Sequence, residues 1–573
     1  MADGAGRWGR PVRCGPFTGE RYRGSLRWLR GGDTECVRMM ALVVRDRAWR
    51  TVDPASLRER VTRNGWVVDG RTAVGASILS WQFAVSARDH GLEARAVMTA
   101  YGDVVTNRTG IVVLLPAAAF AGARYAALHS SGATSRGTLP PAIAPHQPMV
   151  DVAAVRIAAT GGPALELRIE GEIFEMEDQR NWLDPTFKLY TRSLSRTYPY
   201  RIPDGVSVEQ RVTIDLIRPA VGTRRAAMRS RRGTVPALGV ATAPGRVPAD
   251  RRVAGALREA APAFIVHRTD ASARGLAAAA RLARSLDAEL RVEAFGDGAA
   301  LARALAQAKP HTVAPYFAGP RVDRVLQRQR IPRSGGTFAD FVMLNRNGVG
   351  PGPEPGLTSV TFALCPTVHA RDERSLIETL DTLPAVFGQA RALAGGRSLD
   401  AGPCALFRRL VPQTGKPATR GPDERADYDV HPAQHAPIAA AWLACVIAVA
   451  GACGVRALCT YEAAGARGLV RNGAAGSGVV KRSPSHAVLA ALARQRGAPI
   501  VLHALDAFQG AAFTIQGASP ELWLVDLSGR ARRWNRPSRR LRPYAIVRLA
   551  SDGLPARAVH ALVRSWCGAE PSR

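Results

Sequence analysis

Residue types and spacings able to carry chemistry fall in three places along the 573-residue chain. The first is Glu462, which ends the apolar run Ala457 to Tyr461 and precedes the turn Ala463-Ala464-Gly465. A carboxylate delivered to a strand end can act as a nucleophile or a general base. Arg467 offers the alternative, a plain ion pair, and Tyr461 is a candidate substrate contact. The second place is Cys365-Pro366-Thr367-Val368-His369-Ala370-Arg371-Asp372. A neutral imidazole at His369 can relay a proton, and Asp372 can orient it if the loop folds back; a hydrogen-bonded structural histidine is the alternative. Nearby in the same reading, Asn345 in Met343-Leu344-Asn345-Arg346-Asn347 can donate to a substrate hydroxyl or a developing oxyanion, or cap a turn, with Arg346 beside it as a substrate contact.

The third place is the box Glu172-Ile173-Phe174-Glu175-Met176-Glu177-Asp178-Gln179-Arg180-Asn181-Trp182, with four carboxylates in seven residues. Like charges so close repel, so a solvated turn is one reading. Charge, amide and aromatic face together suit docking onto another domain or a sugar-like pocket, with Glu175, Asp178, Arg180 and Asn181 as contacts. No His accompanies the box, so no metal is expected there.

These groups need elements to hold them. The length calls for two or three domains. A formal net charge of +31 is nearly all Arg, with Lys only at Lys188, Lys309, Lys416 and Lys481, and it accompanies a heavy excess of Ala and Gly. The basic runs Arg224 to Arg232 and Arg530 to Arg542 contain one aromatic, Trp534, too few to stack bases, so no nucleic-acid partner is expected. Eight cysteines form no CxxC pair and read as buried thiols in a reducing cytoplasm. The Arg- and Gly-rich start has no signal-peptide core, so secretion is not expected. Ala436 to Val455 is uncharged, but its Ala, Gly and Cys content and the strand-like run that follows it argue for a buried helix rather than a membrane span.

Apolar side chains at alternate positions, as in Leu165 to Glu170 and Val212 to Leu216, predict a β-sandwich over 15–220. A basic linker follows over 221–250. The period then becomes helical, with Leu276, Ala279, Ala283, Leu286 and Leu290 on one face. Eight candidate strands, at Phe264–Val266, Val292–Phe295, Thr312–Phe317, Phe338–Asn345, Ser359–His369, Cys404–Leu410, Val455–Glu462 and Pro499–His503, alternate with helices. They predict a (β/α)8 TIM-type barrel over 251–503, ahead of an open doubly wound sheet, because no Gly-rich phosphate loop follows the first strand. Strand-like runs after Asp506 predict a small C-terminal β-domain over 504–573.

Several of these segments together resemble one family. Val44-Arg45-Asp46-Arg47-Ala48-Trp49, Asn107-Arg108-Thr109-Gly110, Ile143-Ala144-Pro145-His146-Gln147-Pro148, the box to Trp182, Gly335-Gly336-Thr337-Phe338-Ala339, Leu344-Asn345-Arg346, Val368-His369-Ala370 and Thr460-Tyr461-Glu462 are similar, nearly end to end, to the D-apionate lactonase family. The resemblance implies a glycosidase-like barrel between two β-domains and hydrolysis of D-apionolactone to D-apionate in apiose breakdown, with no cofactor and no metal. In that chemistry Glu462 activates water or attacks the carbonyl, while Asn345 or His369 steadies the oxyanion and protonates the departing ring oxygen. Two positions depart from the family pattern: Met343 stands where an acid is expected, and His431-Pro432-Ala433-Gln434 where Asp and Arg flank the Pro and Gln. A retaining glycoside hydrolase and a non-catalytic carbohydrate-binding relative are the alternatives.

Overall fold

The computed structural model describes residues 9–219, 230–242, 247–349, 356–407, 410–411, 416–417, 430–472, 479–535, 538–551 and 555–567. The chain divides into two compact units, Met1–Asn181 with Pro185–Ala226, and Trp182–Asp184 with Ala227–Arg573. Residues 224–229 of the first basic run, and the side chains of 532–540 in the second, lie outside the described residues.

In the first unit, alternation becomes a sixteen-stranded antiparallel sheet. The two runs picked out above are hydrogen-bonded neighbours, with Leu167 opposite Ile214 and Leu165 opposite Leu216. Leu165, Leu167 and Ile214 are fully buried. One apolar cluster joins Phe17 and Trp66, from strands near opposite ends of the sheet, with Phe83, Phe174 and Ile214. Only a sheet folded over on itself brings its two ends to one core, which is the sandwich arrangement.

The second unit holds a closed parallel barrel of eight strands. They are β1 (Ala237–Thr242), β2 (Phe264–Thr269), β3 (Glu289–Phe295), β4 (Thr312–Tyr316), β5 (Arg333–Asp340), β6 (Leu357–Leu364), β7 (Ser398–Cys404) and β8 (Ala457–Ala464). Pairing of β8 with β1 closes the ring. The helices that matter below are α1 (Phe341–Asn347), α2 (Glu373–Glu378), α3 (Leu383–Ala394) and α4 (Pro437–Ala452). In α4 every residue from Ile438 to Gly451 is buried, as an all-round apolar helix requires, and the indole of its Trp442 donates to the Thr379 hydroxyl at 3.0 Å. Among the described residues no helix is long and apolar enough to cross a membrane.

The strand count agrees with expectation, but the phase differs. β1 lies inside the stretch read as a basic linker, because Ala237-Leu238-Gly239-Val240-Ala241-Thr242 is short and small-residued between basic segments. The run Pro499–His503, read as the eighth barrel strand, lies in the strand Pro499–Asp506, which pairs antiparallel with Gly510–Ile515. It belongs to a five-stranded sheet with Arg231–Thr234, Glu521–Asp526 and Ile546–Ala550. β5 ends at Asp340 and β7 at Cys404, both earlier than predicted, since their Gly, Asp and Pro residues disguise them.

Candidate active site

β8 pairs with β1 through Ala237–Ala457, Leu238–Leu458 and Gly239–Cys459, but the next registered pair is Ala241–Glu462. One extra residue therefore sits in β8 between these pairs, a bulge over Thr460 and Tyr461, and bulges re-aim the side chains beyond them. Cys459 lines the barrel cavity, and the bulge brings Glu462 to that same inner face beside Ala241. Tyr461 turns the other way. Its buried hydroxyl donates to the Ala439 carbonyl of α4 at 3.2 Å, and burial raises its pKa well above the usual tyrosine value. The expectation that Tyr461 contacts substrate is therefore corrected: it packs outward against a helix. Glu462 lies 2.9 Å from the Arg467 guanidinium, with 11% of its side chain exposed. Arg467 in turn stacks 3.9 Å over the Phe407 ring.

His369 follows β6 at the same end of the barrel. Its Nδ1 lies 2.5 Å from an Asp184 carboxylate oxygen, and its ring meets Trp182 edge to face at 5.7 Å. With Nδ1–H donated to the carboxylate, Nε2 carries the lone pair, the tautomer a general base needs. The orienting acid is thus Asp184, not Asp372. Asp372 caps α2, accepting from the Arg374 and Ser375 amides at 3.1 Å and from the Ser375 hydroxyl at 2.7 Å. Asp184 was not singled out in the sequence because it is distant from His369 along the chain.

Asn345 and Arg346 do not lie at a strand end. The chain turns into α1 after Asp340, and the Asn345 Oδ1 accepts from the Gln389 amide of α3 at 2.7 Å. This bond ties the Asn345 side chain to the packing of α1 against α3. The box also differs from expectation, because its polar groups are bonded within the first unit. Glu175 accepts from Tyr190, from Ser193 at 2.9 Å and from the Leu194 amide at 2.8 Å. Fully buried Asp178 accepts from the Ala144 amide at 2.9 Å and pairs with Arg180 at 2.7 Å. Arg180 donates to the carbonyls of Pro140, Pro141 and Ala142, and Asn181 to that of Ala144. Asp178, Arg180 and Asn181 thus tie the 140–144 segment down, and Glu175 the 190–194 segment, which also explains why the two motifs occur together.

Several groups at the barrel mouth escaped the sequence reading. Arg268 on β2 lies 3.4 Å from Glu293 on β3, with 24% and 5% of their side chains exposed. The Arg268 guanidinium stands 5.5 Å from the Phe295 ring and 5.8 Å from that of Phe338. Tyr316 and Phe317 join these rings. Phe317 is 72% exposed and has a left-handed backbone, φ 55°. The signal in the sequence was the charged residue at every second place in Arg291-Val292-Glu293-Ala294-Phe295. Below the mouth, small inward residues such as Ala314, Gly402 and Cys459 leave a cavity inside the barrel. A Cβ on Gly402, at φ 109°, would lie 2.3 Å from the Cys459 carbonyl oxygen, so only glycine fits there. Asp400, lower in the cavity wall, pairs with Arg291 at 3.2 Å and with Arg456 at 2.5 Å; burial nonetheless holds its carboxyl above the usual range.

The two family departures have local explanations. Met343 packs between the Trp182, Val342, Cys365 and Val368 cluster and the Phe295, Tyr316 and Phe338 cluster, where a thioether is at home. His431 caps a 3-10 turn, its Nδ1 accepting from the Ala433 amide at 3.1 Å as an aspartate would. Its Nε2 lies 2.9 Å from the Arg371 carbonyl, which braces the loop that carries His369.

A closed parallel barrel with Glu462, Arg268, Glu293 and the His369–Asp184 pair at the C-terminal ends of its strands has the layout of a barrel enzyme. The D-apionate lactonase N-terminal domain model matches residues 5–219 and the D-apionate lactonase TIM barrel domain model matches 327–497. The chain belongs to the D-apionate lactonase family. It is 28% identical over 452 residues to a D-apionate lactonase of Brucella anthropi, covering 70% of this chain and 73% of that one. Among solved structures, a GH51 arabinofuranosidase from Xanthomonas axonopodis pv. citri aligns at 11% identity and TM-score 0.37 over 53% of this chain and 84% of its own. A putative aldose 1-epimerase from Escherichia coli aligns at 9% identity and TM-score 0.27 over 36% of this chain and 97% of its own.

Proposed function

We propose that this chain hydrolyses a sugar lactone, D-apionolactone to D-apionate in the catabolism of apiose, at the mouth of its barrel. The observation that carries the reading is Glu462, turned to the inner face by the β8 bulge and held by Arg467. Glu462 takes a proton from water as the water oxygen adds to the lactone carbonyl carbon. When the tetrahedral adduct collapses, the ring C–O bond breaks and the departing oxygen takes a proton from Nε2 of His369, which holds one only as the imidazolium that Asp184 stabilises; the proton that Glu462 took from water replaces it through solvent. The products are a hydroxyl and a carboxylate on one open chain. The name of the Brucella anthropi relative supports the substrate class, and the eight buried free thiols fit a reducing cytoplasm. A retaining glycosidase would need a second carboxylate about 5 to 5.5 Å from the first. Glu293, one of the carboxylates lining the cavity, stands three strands away round the barrel.

Acid release in weak buffer, with D-apionolactone beside other aldonolactones and aryl glycosides, tests this. Turnover of D-apionolactone and its loss in folded Glu462→Gln are expected. Hydrolysis of glycosides alone would overturn the substrate class, and full activity of Glu462→Gln would overturn the role of Glu462.

A further inference from the structure

Which groups share a level with Glu462 inside the barrel can be worked out from the strand register. In a closed barrel of eight strands and a shear of about eight, residues at one height advance by about one residue per strand along the hydrogen-bonded register. Glu462 is registered with Ala241, so its level on β1 is Thr242. Thr242 is registered with His267, so the level on β2 is Arg268. One further round of the same steps, Arg268 with Glu293 and Ala294 with Pro315, reaches Tyr316 on β4. Inward side chains of one layer come from alternate strands. Glu462, Arg268 and Tyr316 therefore belong to a single layer that closes the top of the cavity, and the strand between the first two contributes only the methyl group of Ala241 on its inner face.

From this we propose that Arg268 is the oxyanion-binding residue of the site, and that Glu293 is the positioning residue that aims it. The proposal deepens the lactonase reading and rests on it. A guanidinium carries five N–H donors in a rigid plane, so one edge can stay on Glu293 while others reach a substrate oxygen. Glu293 holds Arg268 from the layer below at 3.4 Å, and the Phe295 and Phe338 rings flank the guanidinium at 5.5 and 5.8 Å. That confinement leaves the charge few alternative orientations and shields it from bulk water, which strengthens its interaction with a developing negative charge. Arg467 is another cation at this site, and it pairs with Glu462 from the β8 side. The mouth then has a base on one side of β1 and a fixed positive charge on the other. A lactone carbonyl between them is attacked from the Glu462 side while its oxygen, gaining charge, meets Arg268. After ring opening the same guanidinium faces the product carboxylate.

The test is steady-state kinetics on Arg268→Gln, Arg268→Lys, Glu293→Gln and Glu293→Asp, with calorimetric binding of D-apionate to each. Loss of one oxyanion donor costs about 10² to 10³ in kcat, so Arg268→Gln should show that loss with KM little changed, and Arg268→Lys should recover part of it. Glu293→Gln should lower kcat in the same sense, with rescue by Glu293→Asp. D-apionate affinity should fall about tenfold or more in Arg268→Gln. A change in KM alone, or unchanged kcat and D-apionate affinity in Arg268→Gln, overturns the assignment. Should wild type turn over no lactone, the lactonase reading falls separately, and loss of D-apionate binding in Arg268→Gln would still establish the anion site, whereas equal binding would remove it. If Arg268→Gln fails to fold, Arg268→Lys and the Glu293 pair carry the same comparison.

Discussion

Arg467 stands between Glu462 and Phe407, its guanidinium 2.9 Å from the carboxylate and 3.9 Å above the ring. A base held this way has one orientation, and misplacement of a reacting group by about 1 Å can cost about 10²-fold in rate. Arg467→Met should therefore lower kcat about 10²-fold while circular dichroism shows a folded protein, and Phe407→Ala should fall between it and wild type. Wild-type kinetics in Arg467→Met would mean that the pair plays no part in turnover.

The His369–Asp184 contact predicts a second signature. His369→Gln should lower kcat about 10² to 10⁴-fold, the range for a positioned proton-transfer group. Asp184→Asn should reproduce much of that loss although the imidazole remains, because an amide no longer selects the tautomer with Nδ1–H. If Asp184→Asn retains full kcat, His369 is a packing residue on Trp182.

In the first unit, Asp178→Ala strands Arg180 as a buried charge without its carboxylate. Breaking such a pair from one side costs about 3–5 kcal/mol. Urea unfolding should show an early transition for this unit, with lactone hydrolysis per folded molecule unchanged at low urea, since none of these groups belongs to the barrel mouth.

Histidines whose pKa burial lowers make stability depend on pH, His503 and His431 among them. Burial, with His560 and Arg232 nearby, holds His503 down to about 4, and burial also lowers His431. Both resist protonation in the folded chain more than in the unfolded chain, where histidines take up protons at about 6.5. Their contribution is complete above that pH and is lost as pH falls from about 6.5 toward the folded values. Urea midpoints should drop from pH 7.5 to pH 5, and His503→Gln should flatten the drop; an identical slope in that variant would discount His503.

Phe317 combines an exposed ring with a left-handed backbone at the end of β4. Phe317→Gly should relieve the backbone, leaving thermal stability equal or slightly raised, while KM increases severalfold through loss of an aromatic face at the mouth. An unchanged KM would place the ring outside the substrate's reach.

What the sequence discloses depends on whether a signal is local. The barrel, the folded sheet and the buried α4 are legible because each rests on a period or an unbroken apolar run. Glu462 is legible because an acid directly follows the strand-like run Ala457 to Tyr461. β1, β5 and β7 are obscured by glycine, proline and aspartate that the closed ring tolerates and a propensity argument does not. Asp184 as partner of His369, and Arg268 as level with Glu462, depend on residues brought together only by folding. The box misleads for the opposite reason: its charges look solvent-facing until each carboxylate is matched with its buried donors.

The bulge in β8 makes the site depend on arithmetic as well as on identity. An even ladder from Cys459 onward would give Tyr461 the lumen and Glu462 the helical side, with no amino acid exchanged. Shortening β8 by one residue at Thr460 would remove the bulge and leave one residue between Cys459 and Glu462, so that an even ladder still sets the carboxylate opposite Ala241 on the inner face. In this family, a gap of one in an alignment just before the glutamate would therefore cost the bulge and not the inward carboxylate.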